Sequence, residues 1–196
     1  MAISLSKNQT ISLEKEAGTG LKKIRMGLGW DPAKPSGFFA KLLSSNDAID
    51  LDASCIVLDH DKQPLELVWF RQLKSNDGSI VHSGDNRTGE GDGDDESIMV
   101  NLEHLPSGVK HLVFTVNSFT GQNFDAVENA YCRIVDELTG KELARFNLSE
   151  KGRHTGVVMA YLSRTSAGWD LTAVGSVANG RTAQDLSNEA AKAVRA

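Results

Sequence analysis

The residues that could do chemistry are concentrated in one acidic, glycine-rich stretch, residues 84–96. It reads Gly-Asp-Asn-Arg-Thr-Gly-Glu-Gly-Asp-Gly-Asp-Asp-Glu, with six carboxylates, four glycines and one cation, Arg87. Carboxylates at this density repel one another unless they are solvated or share a counter-ion. Glycine allows positive φ, so backbone carbonyls can turn towards the same point as the carboxylates. Such an oxygen-rich set suits Ca²⁺, which takes about six to eight oxygens, and the scarcity of nitrogen and sulfur argues against zinc or copper.

A solvated acidic loop without a ligand is the alternative interpretation of the same stretch. Unliganded acidic runs are usually low-complexity segments flanked by linkers. This stretch instead lies between two strand-like segments, residues 79–82 and 98–102. We therefore predict that it binds a metal ion.

A second pair of carboxylates, Asp50 and Asp52, opens the strand-like segment 50–58. Residues i and i+2 of a strand point to the same face, so the two carboxylates are expected side by side. Such a pair is commonly a solvated strand end, but near an acidic loop it is a candidate second half of one metal site. His82 is the imidazole closest in sequence to the loop, and we predict a strand residue there because hard cations prefer oxygen.

Composition restricts the classes of protein that the chain can belong to. The 196 residues are 40% apolar, which is typical of a folded domain, and the acidic stretch accounts for the whole formal net charge of -5. Without a basic surplus, nucleic acid is a poor candidate partner. Cys55 and Cys132 lie in apolar strand-like segments and are predicted to be buried thiols, which fits a reducing compartment.

The predicted location follows from two further features of the sequence. Residues 1–7 lack the basic and apolar regions of a secretory signal, and no apolar run approaches the ~20 residues that a membrane span needs. We therefore expect a soluble, cytoplasmic protein that does not insert into a membrane.

The order of short alternating segments predicts an all-β fold. Strand-like segments separated by turn signals at 76–78, 138–141 and 166–168 are typical of an antiparallel β-sandwich. We expect long loops at one end and a short C-terminal helix. Leu65–Leu73 is predicted to be one strand, and the chain is expected to turn at Asp31-Pro32, because proline cannot donate to a ladder.

A single domain is predicted over residues 1–180, with a surface insertion at 32–48. The segment 181–196 is predicted to be a helical tail. Because its apolar face is small and rich in alanine, we expect the tail to be only marginally attached.

The acidic stretch resembles the signature of the TerD family of bacterial tellurium-resistance and stress proteins. Further similar stretches are Ser4–Lys7, Gly27–Asp31 and Asp50–Ser54, and the resemblance extends from about residue 3 to residue 178. Residues 69–73 (Trp-Phe-Arg-Gln-Leu) and 114–122 (Phe-Thr-Val-Asn-Ser-Phe-Thr-Gly-Gln) are most similar to the TerZ branch.

The resemblance implies a cytoplasmic β-sandwich that binds Ca²⁺, with two ions held by loops at one end of the sheets. It also implies a role beside other tellurite-resistance proteins, as partners in what could be a membrane-associated complex. Carried over by position, the metal ligands are Asp31, Asp50, Asp52, Asp85, Asn86, Gly89, Glu90, Gly91, Asp92, Asp94, Asp95 and Glu96.

Two other functions compete with a non-catalytic, calcium-binding protein. The first is a metal-dependent phosphate-ester hydrolase, in which Arg87 would hold a phosphoryl oxygen. Two-metal phosphatases usually recruit histidines, whereas the five histidines here are scattered along the chain. The second is direct reduction of tellurite, for which two buried cysteines are poorly suited. We therefore expect no enzymatic activity.

Overall fold

Two six-stranded sheets face each other in the computed structural model of the chain, which describes residues 2–18, 20–32, 50–84, 93–147 and 152–195. In spatial order, sheet A contains β1 (Ile3–Ser4), β10 (Glu142–Asn147), β9 (Val127–Asp136), β3 (Lys23–Pro32), β7 (Glu96–Asn101) and β6 (Ile80–His82). Sheet B contains β2 (Thr10–Ser12), β12 (Gly168–Ala178), β11 (Gly156–Thr165), β8 (His111–Ser118), β4 (Leu51–Leu58) and β5 (Pro64–Val68). Neighbouring strands are antiparallel except β1 and β10, which confirms the predicted antiparallel β-sandwich.

Alternation along the central strands of sheet B separates two hydrophobic clusters. On β4, Ala53, Cys55 and Val57 face the core between the sheets, whereas Ile56 and Leu58 belong to a second cluster on the outer face. Because successive side chains point to opposite faces, Asp50 and Asp52 lie on this outer face too.

The C-terminal helix α2 (Ala183–Ala193) covers the outer face of sheet B. Thr182 and Asp185 form a capping box at its start, with reciprocal side-chain to backbone hydrogen bonds. Leu186 and Ala190 are fully buried, and Val194 packs in the same cluster. The expectation of marginal attachment was therefore wrong, because even a small apolar face is fully buried against the aliphatic side chains of the sheet.

Several predicted turns are confirmed, and two predicted boundaries are wrong. The turns at 76–78, 138–141 and 166–168 join the expected segments. However, β3 continues through Pro32, which pairs with Val127 after a register shift between Gly29 and Asp31. Proline is tolerated there because it follows this irregularity and because the ladder with β7 has already ended at Leu28, so β3 is paired on one side only.

The predicted strand Leu65–Leu73 is shorter than expected and ends at Val68. A tight turn follows, closed by reciprocal backbone hydrogen bonds between Trp69 and Gln72. A short helix, α1 (Leu13–Ala17), follows β2 directly. The predicted insertion 32–48 begins at the last residue of β3 and otherwise lies outside the described residues.

Both cysteines are free, buried thiols, as predicted. They lie in different sheets, Cys55 on β4 and Cys132 on β9. Burial raises the pKa of Cys132 to about 12, and burial followed by the charge of Glu66 raises that of Cys55. Neither thiol is therefore a ready nucleophile at neutral pH.

Candidate metal centre

The described candidate ligands collect at one end of the sandwich. Asp31, the last but one residue of β3, lies there, and β7 begins there with Glu96, because Leu28 pairs with Glu96 in an antiparallel ladder. Strand β4 also begins there, and a hydrogen bond from the Ala53 amide to the Glu96 carboxylate joins the two sheets. Residues 85–92 lie outside the described residues, so the predicted ligands Asp85, Asn86, Gly89, Glu90, Gly91 and Asp92 stay predictions.

On sheet B, the side chains of Asp50, Asp52 and Asn117 form one group of oxygen donors. The two aspartates are 7% and 2% exposed, and Asp52 pairs with Asn117 across β4 and β8. The Asn117 side-chain amide donates to Asp52 Oδ2 at 3.1 Å and to the backbone carbonyl of Arg181 at 2.8 Å. Its Oδ1 is buried and has no hydrogen-bond partner among the described residues.

On sheet A, Asp31 and Asp95 form a second group. The Trp30 backbone amide donates to Asp95 Oδ2 at 2.9 Å, and Asn129 donates to Asp31 Oδ2 at 2.8 Å. Burial raises the pKa of Asp95, and the charges of Asp31, Asp94 and Glu96 raise it further, against the opposing hydrogen bond from Trp30. This like-charge crowding is the condition that a bound cation relieves.

Glu96 lies between the groups and is tied to sheet B. Its Oε2 accepts a hydrogen bond from the Ala53 amide at 2.7 Å and lies 3.4 Å from His82 Nε2. The side chains of Glu96 and His82 are both fully buried. Burial alone would lower the pKa of His82, but Glu96, the Ala53 carbonyl and Asp52 outweigh it and raise the pKa. His82 is thus a strand residue, as predicted, and it helps to hold the sheets together at this end.

Asp94 differs from the other predicted ligands because arginines already neutralise its carboxylate. Arg133 contacts both oxygens, with Nε to Oδ1 at 2.7 Å and Nη2 to Oδ2 at 3.1 Å. Arg25 adds a contact from Nη1 to Oδ2 at 3.1 Å. These contacts occupy both oxygens of Asp94 and make it poorly suited to bind an ion directly.

The described residues do not by themselves complete a metal site. Within the described ranges, no group of three or more histidine, cysteine, aspartate or glutamate side chains is arranged to hold an ion. Of the histidines, His111 bonds Ser163 on β11 and His154 stacks on Phe124, so neither joins His82 in a cluster. The described residues therefore offer two partial sets of oxygen donors.

Sequence reasoning missed Asn117 and Arg133. Asn117 lies in a strongly hydrophobic segment, and a polar amide there was the available signal. Arg133 lies in another apolar strand, β9, and its pairing with Asp94 depends on the neighbouring strand order β9-β3-β7. That order is not readable from local patterns.

Among the helices in the described part of the chain, none is long and apolar enough to cross a membrane.

Comparison with known proteins places this fold and its acidic end in a family. The family model described as the TerD domain matches residues 1–188. The chain therefore belongs to the TerD family, which confirms the resemblance read from the acidic stretch.

Relatives similar over nearly their whole length carry stress and resistance names. The chain is 53% identical to tellurium resistance protein TerZ of Serratia marcescens, covering 98% of each chain. It is 40% identical to stress response protein SCP2 of Bacillus subtilis (strain 168), covering 95% of this chain and 98% of the relative.

A solved structure supports the fold. The crystal structure of SCO6318 from Streptomyces coelicolor A3(2), a homologue of telluride resistance protein (TerD), matches with a TM-score of 0.66 at 22% identity. The match covers 86% of this chain and 96% of that one.

Proposed function

We propose that the protein is a calcium-binding, non-catalytic stress protein that acts in tellurite resistance in the cytoplasm. The resistance role is supported by the names of its relatives. The calcium role is supported by one structural observation: carboxylates from β3, β4 and the start of β7 lie at the same end of the sandwich, where β6 ends and β7 begins. In the sequence, residues 85–92 connect these last two strands.

The donor set at this end fits a hard divalent cation. The described candidates are carboxylate and amide oxygens, the ligand types that Ca²⁺ prefers. The buried Oδ1 of Asn117 also fits, since it lies on the amide that contacts Asp52 and has no partner among the described residues. A buried carbonyl oxygen without a partner is costly, and an ion beside Asp52 would remove that cost.

Each of two ions would take its described ligands from one of the two sheets. Asp50, Asp52 and Asn117 would hold one, and Asp31 and Asp95 the other, each with carboxylates or carbonyls from residues 85–92. When bound, calcium supplies positive charge that offsets the repulsion between these groups. The chain's part is to bring the ends of β3, β4 and β7 together, so that ion binding stabilises this end of both sheets.

The link to tellurite is proposed to run through a protein partner rather than through chemistry on the oxyanion. An acidic surface repels an anion, and both thiols are buried with raised pKa values. We propose that calcium shapes a surface recognised by other tellurite-resistance proteins.

Calorimetric titration of metal-stripped protein with CaCl₂ tests the proposal. The wild type should bind, with affinity in the sensor range of about 10⁻⁷–10⁻⁵ M or tighter. Asp50→Asn and Asp95→Asn should each weaken binding or lower the stoichiometry. Asp61→Asn is the matched control, because Asp61 is an exposed aspartate in the turn at the far end of β4.

Two results would overturn the proposal. One is the absence of any heat or thermal shift with millimolar calcium. The other is hydrolysis of a generic phosphate ester that depends on Mg²⁺ or Mn²⁺ and disappears in Asp95→Asn, which would favour the hydrolase.

A further inference from the structure

The contact between Arg133 and Asp94 points to a role for residues outside the ion's own ligands. We infer that Arg133, assisted by Arg25, positions Asp95 for ion binding by holding Asp94 against the outer face of sheet A. This inference rests on the proposed function, and it assigns Asp94 to the support of the site rather than to the ion.

The geometry of the contact is that of a fixed, two-point attachment. The Arg133 guanidinium meets both Asp94 oxygens, at 2.7 and 3.1 Å, and such paired hydrogen bonds set orientation as well as supplying energy. The Asp94 side chain is only 5% exposed, although the arginines are 24% and 30% exposed. Asp94 is therefore enclosed by its partners.

A gap in the sheet surface accommodates the Asp94 carboxylate. Gly27 on β3 lies directly beneath it, and a Cβ at Gly27 would lie 2.1 Å from Asp94 Oδ2. The hydroxyl of Tyr131 donates to the carbonyl of Gly93 at 2.8 Å, and the Tyr131 ring lies over Gly29 in the same way. Two glycines on one strand thus make room for the two groups that fix residues 93 and 94.

Holding Asp94 also constrains the candidate ligand Asp95, which is the next residue in the chain. The Asp95 backbone amide donates to the carbonyl of Leu28 at 2.8 Å, and Asp95 Oδ2 accepts from the Trp30 amide at 2.9 Å. With Asp94 held, these bonds keep the Asp95 carboxylate beside Asp31 despite their mutual repulsion. Without the attachment, that repulsion would favour separation of the two carboxylates.

A direct-ligand role for Asp94 and a supporting role predict opposite effects of removing Arg133. If Asp94 bound the ion, Arg133 would compete for its oxygens, and its removal would tighten calcium binding. If Asp94 supports the site, removal of Arg133 loosens Asp95 and weakens binding. Partners of this kind typically contribute about 10- to 100-fold to metal affinity.

The experiment measures calcium affinity of the full chain by calorimetry for Arg133→Gln and Arg133→Lys. We expect Arg133→Gln to weaken binding by about 10-fold or more. Arg133→Lys, which keeps the charge but loses the paired geometry, should restore part of the loss. The matched control is Arg195→Gln, because Arg195 is an exposed arginine whose guanidinium bonds Asn8 and takes no part in the contacts around Asp94. Unchanged or tighter binding by Arg133→Gln would overturn the inference.

Amide hydrogen exchange in EDTA separates failure of the inference from failure of the proposed function. The N–H groups of Asp95 and Trp30 should exchange faster in Arg133→Gln than in the wild type, while amides at the far end of β4 should not change. Equal exchange in both proteins would overturn the support role even if calcium binds. If exchange accelerates but the wild type binds no calcium, the attachment exists and the proposed function is wrong, together with the role in ion binding.

Discussion

Glu96 and Ala53 belong to different sheets, yet the Glu96 carboxylate accepts the Ala53 backbone amide at 2.7 Å. Along β4, pairing with β5 begins only at Cys55. Ala53 therefore lies beyond the end of β5. The carbonyl of Ala53 contacts His82 Nε2 at 3.0 Å. Because the Gly84 amide donates to His82 Nδ1, the ring proton lies on Nε2. Glu96 and His82, which both belong to sheet A, thus supply the contacts to the Ala53 backbone that a longer β5 would have made.

The first prediction concerns this connection between the sheets. Glu96→Gln should lower the free energy of unfolding by about 1–3 kcal/mol, because it removes the charge from a buried hydrogen bond. The measurement is urea unfolding in EDTA, which excludes any contribution from metal binding. Glu103→Gln is the control, since Glu103 forms an exposed ion pair with Lys22, and an equal loss in both variants would contradict the prediction.

The second prediction concerns the space above Gly27. Gly27→Ala should destabilise the apo protein by about 1–3 kcal/mol, because the added methyl group displaces Asp94 and strains the well-packed surface. Gly108→Ala is the matched substitution, because a Cβ there meets no atom within 4 Å. Thermal unfolding of the two variants measures the difference. Equal melting temperatures would show that Asp94 moves aside without cost.

The third prediction concerns attachment of helix α2. Leu186→Ala should destabilise the protein by about 2–5 kcal/mol, because it leaves a cavity beneath the helix. Lys192→Ala should change stability by no more than about 0.5 kcal/mol, because Lys192 forms an exposed pair with Glu189. Urea unfolding checks both. A loss near zero for Leu186→Ala would restore the expectation of a marginally attached tail.

The fourth prediction concerns pH and His111, which contacts Ser163 at 2.8 Å. Burial lowers the pKa of His111 to about 4, with smaller contributions from the charges of Lys110, Lys62 and His60. Between pH 6.5 and about 4 the unfolded chain binds a proton that the folded protein does not, so stability falls as the pH decreases through this window.

The comparison of His111→Gln with His104→Gln tests this pH dependence. His111→Gln should flatten the fall in stability across the window, and His104→Gln, which changes an exposed histidine, should leave the fall as in the wild type. Urea unfolding at a series of pH values provides the measurement. Parallel pH profiles for the wild type and His111→Gln would assign the fall to other groups.

The fold was predictable where local patterns are strong. Alternation in Val109–Phe119 and the turn at Asn76-Asp77-Gly78 determine strands and a hairpin without reference to the rest of the chain. The end of β3 was not predictable in this way, because the register shift and the one-sided pairing that accommodate Pro32 depend on β9 and β7, which lie far away in the sequence.

The residue types of the candidate site were predictable from the sequence, but the different roles of its carboxylates were not. Charge density and glycine content identify the acidic stretch, and strand periodicity identifies Asp50 and Asp52. The local sequence does not distinguish Asp94 from Asp95, which are adjacent carboxylates. Their difference arises because Arg25 and Arg133 on β3 and β9 lie beside Asp94, whereas the Asp95 carboxylate accepts the Trp30 backbone amide and lies near other acids.

The first dozen residues place one short strand at the edge of each sheet. Ile3 pairs with Ala144, and Ile11 pairs with Leu171, so each edge joins segments from opposite ends of the chain. Contacts between residues so far apart in the sequence form slowly, because a long loop must close before the contacts can stabilise the fold. On a ribosome, the two edges stay unpaired until β10 and β12 have emerged, so β1 and β2 wait for partners that are synthesised much later.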